Sequence, residues 1–286
     1  MQMNEEVSPL RSLGGIPVTS PRSEDTRFAL LLWGDSGCGK TKLASTAPGV
    51  TLFMVFDPDG ALTLSGDPNV LVMDLSDRNA ITTMGEFRKD DPFGLTKFLN
   101  DNPEISTIVL DSMTSLAYMA LLEAVSKNRN STIEQPGIHG YTWRNATLTR
   151  IANTMMTITK RAKRNMIFIS HEGTPSRDDD GRILSISLML SEGSANQVGS
   201  RINEVWWMRD HNNVRSIAVR PCHQRKPMKT RLFVADKATE FVWHYDPETQ
   251  VGEGIADWWA AWQANGGKRI PLPTRVSTTS RGGMKK

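Results

Sequence analysis

Apolar and polar positions follow two rhythms along the chain, and together they predict strands separated by helices. Phe28–Trp33 is an unbroken apolar run, short enough for a strand buried on both faces, and Lys40–Ser45 follows as the first turns of a helix. Val50–Phe56 and Val70–Asp74 read as further strands. Pro92–Asn100 reads as a short helix with Leu95, Phe98 and Leu99 on one side. Ser106–Asp111 is the next buried strand, with a helix through about Ser126 behind it. Lys127–Thr142 has little apolar pattern and holds Pro136, Gly137 and Gly140, so it reads as a loop. Trp143–Arg164 then sets Leu148, Ile151, Ala152, Met155, Ile158 and Ala162 at helical spacing, and Asn165–Ser170 is a strand.

The stretch from Glu172 to Ser200 is polar and long for a compact domain, the usual mark of a functional or mobile loop. Alternation in Glu204–Met208, Val214–Val219 and Thr230–Ala235 predicts three antiparallel strands closing the sheet at its edge. The expected class is α/β: a mostly parallel sheet flanked by helices, with antiparallel edge strands. The expected organisation is a disordered arm at 1–25, a core at 26–240, a Trp-rich helical segment at 241–265 and a basic disordered tail at 266–286. Trp206 and Trp207 alternate within a strand, so at least one faces the core. Trp258, Trp259 and Trp262 belong to a short helix that packs back on the domain.

Composition adds little to this outline and excludes several classes. With 38% hydrophobic and 23% charged residues the chain reads as soluble and globular, without a long apolar run to span a bilayer. Met1–Glu6 lacks the basic and apolar regions of a signal peptide, so a cytoplasmic location is expected. Two cysteines fit that reducing setting, and only Cys222–His223 offers even a pair of metal ligands. Net charge is only +3, but it is unevenly placed. Between His211 and Phe233 stand Arg215, Arg220, Arg225, Lys226, Lys229 and Arg231 with no acid, and the tail after Asn265 is also basic. Both segments would attract polyanions.

The chemistry starts at Gly34-Asp35-Ser36-Gly37-Cys38-Gly39-Lys40-Thr41, the spacing G-x-x-x-x-G-K-[ST] between a strand and a helix. Glycines let the backbone wrap a polyphosphate so that successive N–H groups point inward as an anion nest. Lys40 would reach the β and γ phosphates, and the Thr41 hydroxyl would ligate Mg²⁺. Asp111, closing the strand Thr107–Asp111, supplies the second acidic oxygen of the metal shell. Hydrolysis of ATP further needs a group that orients water. Asp59, in Asp57-Pro58-Asp59-Gly60 after the second strand, is the first choice, although these four residues also read as a simple turn. His171, ending the strand Met166–Ser170, is placed to sense the γ-phosphate and signal to the loop that follows; it also reads as a surface histidine.

In this order the motifs resemble the RecA-like P-loop NTPase core, and most of all the small phage nucleotide-binding or Sak-type single-strand annealing proteins. The resemblance runs from about Phe28 to Val234. It includes Tyr141-Thr142-Trp143, Ile169-Ser170-His171-Glu172 and Gly193–Gly199. It implies that Asp59 stands for the water-activating acid, usually Glu, and His171 for the polar switch residue. It further implies that Lys127–Thr142 and Glu172–Ser200 contact DNA, and that ATP sits between subunits of a ring or filament, with Lys226 and Lys229 as candidates to act on a neighbour. Two features depart from the pattern: Asp59 is one methylene shorter than Glu, and Asp178–Asp180 is acidic where phosphates would be gripped.

The expected function is therefore an ATP-hydrolysing protein of phage recombination that binds single-stranded DNA and promotes annealing, with a single-strand-binding protein as a further partner. The alternative is a motor or loader ATPase of a replication or packaging complex. A small-molecule kinase would need an arginine-rich lid that Glu172–Ser200 does not offer, and a nucleotide-gated binding module without turnover remains open if Asp59 is not a working base.

Overall fold

A computed structural model describes residues 11–13, 16–18, 26–128, 131–190, 192–221, 227–236, 238–246, 249 and 251–273. In the amino-terminal arm, β1 (Arg11–Leu13) pairs antiparallel with β2 (Ile16–Val18), so a segment expected to be structureless carries two paired strands. The core begins with β3 (Ala29–Gly34), α1 (Lys40–Ser45), β4 (Val50–Val55) and β5 (Val70–Asp74). Next come α2 (Ala80–Phe87), α3 (Leu95–Asp101), β6 (Ile105–Asp111), α4 (Met113–Ser126), α5 (Gly137–Arg161) and β7 (Asn165–His171). A hairpin of β8 (Ser176–Arg177) and β9 (Ile183–Ser185) and then α6 (Glu192–Arg201) occupy most of what was expected as one long loop. The chain closes with β10 (Glu204–His211), β11 (Val214–Ala218), β12 (Phe233–Val234), β13 (Glu240–Val242), β14 (Tyr245–Asp246), β15 (Val251–Gly252), α7 (Ile255–Ala264) and β16 (Ile270–Pro271).

Eight strands make the central sheet in the order β13-β11-β10-β3-β7-β6-β4-β5, parallel from β10 through β5 and antiparallel at β11 and β13. All six residues of β3 are buried, as a strand covered on both faces requires. Its period-2 geometry sends Leu31 and Trp33 to one face and Leu30 and Leu32 to the other. The first face packs on Met84 and Phe87 of α2, Met113 and Leu116 of α4, and Leu148, Ile151 and Met155 of α5. The second packs on Leu43 and Ala44 of α1 and Ile255, Trp258 and Trp259 of α7.

Both strand tryptophans are buried, Trp207 on the first face and Trp206 on the second, where its ring meets Phe233 and Trp258. The helix α7 is tied to the end of α1, with the N–H groups of Ile255 and Ala256 donating to Thr46 Oγ1 and O. Trp258 and Trp259 are thus core residues.

The edge expectations need correction. Glu204–Met208 is not an antiparallel edge strand: β10 lies parallel to β3 inside the sheet. Thr230–Ala235 does not join the sheet either: the N–H groups of Arg231, Leu232 and Phe233 are taken by side chains. Glu204 accepts from the N–H groups of Arg231 and Leu232, and Thr230 Oγ1 accepts from those of Leu232 and Phe233. Its short strand β12 pairs with β16 instead, so the presumed tail after Gly266 is ordered through residue 273. The third edge strand is β13, inside the segment assigned to the Trp-rich region, so the sheet extends past residue 240. Helix α5 starts at Gly137, six residues before the expected Trp143, with Pro136 as its N-cap. Gly140 serves close packing there: a Cβ would meet Pro136 Cβ at 2.9 Å and Leu121 at 3.6 Å.

Candidate functional site

The parallel strands all deliver their carboxyl ends to one edge, and the cleft at that edge follows from the strand order. Since β7 lies between β3 and β6, the loop after β3, the end of β7 and the end of β6 meet there. The cleft has a volume of about 860 Å³ and is lined by Ser36, Gly37, Gly39, Lys40 and Thr41 from the glycine-rich loop. Asp57, Asp111, His171 and Arg215 face it from other elements.

The loop itself is held tightly. Gly34 has φ 153°, and a Cβ there would strike the Met208 carbonyl oxygen at 1.9 Å, so this position needs glycine. Gly39 is left-handed, φ 97°, where the chain turns into α1. Lys40 is buried, and its Nζ donates to the carbonyl oxygens of Gly34 at 3.1 Å and Asp35 at 2.5 Å. The neighbouring Cys38 is buried and free; burial pushes its thiol up, against the opposing pull of Lys40.

Thr41 Oγ1 donates to Asp111 Oδ2 at 2.7 Å. Burial pushes the Asp111 carboxyl up, the Thr41 hydrogen bond opposes this, and the nearby Asp57 carboxylate adds to the rise. A buried carboxylate drawn to a threonine hydroxyl is a donor set with the hard oxygen ligands that Mg²⁺ prefers. Among the described residues no cluster of three or more His, Cys, Asp or Glu could hold a metal alone. The residues fit a Mg²⁺ whose remaining ligands are phosphate oxygens and water.

The turn after β4 separates the two candidate carboxylates. Gly60 N donates to Asp57 O, and Asp59 takes a left-handed conformation, φ 59°, that turns its side chain into solvent. Asp59 does not line the cleft; Asp57 does. Ser115 Oγ donates to Asp57 Oδ1, Ser112 lies in the same polar group, and His171 Nε2 stands 3.9 Å from Asp57 Oδ2. Burial works to raise the Asp57 carboxyl, but its contacts with His171, Ser115 and Ser112 outweigh it and hold the group below the ordinary 3.8. A lowered carboxylate stabilises the fold above its unfolded value. Asp57 should therefore contribute stability at neutral pH that is lost as pH falls below 3.8 through the folded value. Acid melts of the wild type and Asp57→Asn should converge there.

His171 is held at the centre of this edge. Its backbone N–H donates to Thr114 Oγ1 at 2.9 Å, its carbonyl accepts from Met189 N at 2.9 Å, and its Nδ1 is buried without a hydrogen-bond partner. Next to it, Glu172 N donates at 2.9 Å to Gly34 O, the carbonyl that also accepts from Lys40. The glycine-rich loop and the segment after β7 therefore share an acceptor.

A family model described as AAA domain matches residues 26–232, which takes in this loop, Asp57, Asp111, His171 and Arg215. The chain belongs to the AAA domain family. No curated protein matches the chain. As an AAA domain it is a nucleotide-binding domain of a P-loop ATPase family. Among the described residues no helix is long and apolar enough to cross a membrane.

Sequence reasoning brought Lys40, Thr41, Asp111 and His171 to one cleft, and the structure places all four there. It missed Asp57 and Arg215. Asp57 stood in the same turn as Asp59. The signal for Arg215 was its alternation with the apolar Ile217 and Val219. Of the expected trans candidates, Lys226 lies outside the described residues. Lys229 donates to the carbonyls of Ser200 and Ile202, and its backbone pairs with Val205 near the start of β10.

Proposed function

We propose that this AAA domain binds Mg-ATP and hydrolyses it weakly, using the nucleotide to control its hold on single-stranded DNA in strand annealing of the phage type it resembles. The observation that carries the reading is the grouping of Asp57, His171 and Asp111 around the mouth of the glycine-rich loop. Asp57, ionised at neutral pH, would take the proton of a water attacking the γ-phosphorus, on the Oδ2 side that faces His171. Thr41 and Asp111 would hold Mg²⁺, which when bound neutralises charge on the phosphate oxygens. Asp57 takes the role that the resemblance gives to Asp59, and it brings the acid to the cleft without the longer Glu side chain.

The route from nucleotide to DNA would start at the Gly34 carbonyl, pass to Glu172 and His171, and enter the segment through Met189 and Leu188 that is hydrogen-bonded to them. At the head of α5, Tyr141 and Trp143 are exposed, with Arg144 5.0 Å from the first ring and Lys127 4.4 Å from the second. Exposed rings beside cations support stacking with unpaired bases. Against this, Asp178–Asp180 forms the exposed turn of the β8–β9 hairpin, which suits a protein partner better than phosphate and favours the second reading, a motor or loader ATPase.

Phosphate release with no DNA, single-stranded DNA and duplex separates the readings. The annealing reading predicts stimulation by the single strand alone, falling steeply with salt and absent in Lys40→Ala. Turnover indifferent to any DNA and raised by a protein partner would contradict it and favour the loader.

A further inference from the structure

The hairpin of β10 and β11 reaches over the glycine-rich loop. Met208 pairs with Gly34, the last residue of β3, yet β10 continues through Arg209, Asp210 and His211 before turning back at Asn212–Asn213. Both turn residues have positive φ, 52° and 62°, which suits a tight hairpin and fixes the register Asp210 against Arg215. Along β11 and the residue that follows it, Arg215, Ile217 and Val219 share a face. Ile217 and Val219 are buried with Leu43 and Ala44 of α1, so the terminal position of that face lies over the start of α1. Accordingly, a Cβ at Gly39 would lie 3.2 Å from Arg215 Nε and 3.3 Å from its Cδ.

We propose that Arg215 is a phosphate-binding residue of its own chain's cleft, gripping the polyphosphate at the Gly39 end; this rests on the nucleotide-binding reading above. Three lysine or arginine side chains line the cleft. Lys40 is engaged by two backbone carbonyls, and Lys42 pairs with Asp67 at 3.7 Å beneath the Tyr245 ring. Arg215 is ion-paired too, but through Nε alone: Asp210 Oδ2 meets Nε at 3.4 Å, and the guanidinium lies 6.0 Å from the Trp243 ring centre. An arginine fork has donors beyond Nε, suited to phosphate oxygens. Position defines its role. Because β3 has β10 on one side and β7, then β6, on the other, Arg215 approaches the loop from the side away from Asp111, His171 and Asp57. It therefore binds the nucleotide in ground state and transition state alike, and binds ADP as well as ATP.

Calorimetry with Mg-ADP and with the slowly hydrolysed Mg-ATPγS tests this on full-length protein, with Lys40→Ala as the reference. Arg215→Ala should weaken both ligands about 10- to 100-fold, the range expected for a lost charge-assisted hydrogen bond. KM for ATP should rise while kcat stays near wild type, and Arg215→Lys should recover part of the affinity. Arg215→Gln keeps the stem over Gly39 without the charge and serves if the alanine variant melts too low to assay. Wild-type affinity in Arg215→Gln or Arg215→Ala, with binding lost in Lys40→Ala, would overturn the role of Arg215 and leave the cleft assignment standing. A wild-type protein that binds neither ligand would overturn both.

Discussion

Asp57→Asn should cut ATP turnover by about 10²–10⁴-fold, the usual contribution of a positioned base, with Mg-ATP affinity kept. Asp59→Asn should leave turnover unchanged. Only Asp57 lines the cleft; its Oδ1 accepts from Ser115 and its Oδ2 faces His171. Asn at this position keeps the size and the contact with Ser115 but cannot accept a proton. Asp59 stands in solvent on the far side of a left-handed turn. Phosphate release by the two single variants, with nucleotide affinity measured in parallel, checks the pair. Loss of turnover in Asp59→Asn with a working Asp57→Asn would reverse the assignment. His171→Ala should fall between them, since it removes a neighbour of the base rather than the base.

Trp206→Ala should cost about 3–5 kcal/mol of folding stability, as large aromatic truncations in packed cores do. Its ring is fully enclosed, touching Phe233 at 5.7 Å and Trp258 at 6.0 Å between ring centres. Its Nε1 donates to Glu204 at 2.8 Å, so truncation also removes one of the hydrogen bonds that satisfy a buried carboxylate. Burial already pushes the Glu204 carboxyl up despite its bonds from Thr230, Trp206 and the Arg231 and Leu232 backbone. The damage should spread to α7, because Trp258 packs on the same ring. Urea unfolding followed by far-UV circular dichroism measures the loss. A midpoint equal to wild type would mean that α7 and β12 hold without this tryptophan.

How much of this could be read in the sequence depended on whether a feature is local. The loop Gly34–Thr41 and the strand before it are contiguous, so residue type alone specified them. Asp111 followed from a buried run ending in a carboxylate. The choice between Asp57 and Asp59 was different, because it is made by contacts with Ser115 and His171, far along the chain. Only the fold reveals which of two acids in one turn faces inward. Thr230–Ala235 showed the right alternation for a strand, yet Glu204 and Thr230 had claimed its backbone donors. In the sequence Arg215 is one member of a basic cluster. Its separate role appears once the hairpin register sets it over Gly39.

The cleft and the segment after β7 meet at one hydrogen-bond acceptor. Gly34 O accepts from both Lys40 and Glu172, so whatever draws the lysine toward phosphate alters an acceptor shared with that segment. Trp207 Nε1 donates to Glu172 at 2.6 Å and anchors the same point to β10. Hydrogen exchange at Glu172–Met189 should slow on nucleotide addition if the shared acceptor transmits the signal.

One titration goes to the root of the account. Mg-ATP added to the folded wild-type protein in a calorimeter should bind at one site per chain, and the binding should vanish in Lys40→Ala and weaken when magnesium is withheld. A well-folded wild-type protein that releases no heat of binding, or a Lys40→Ala variant that binds as tightly as wild type, would contradict it.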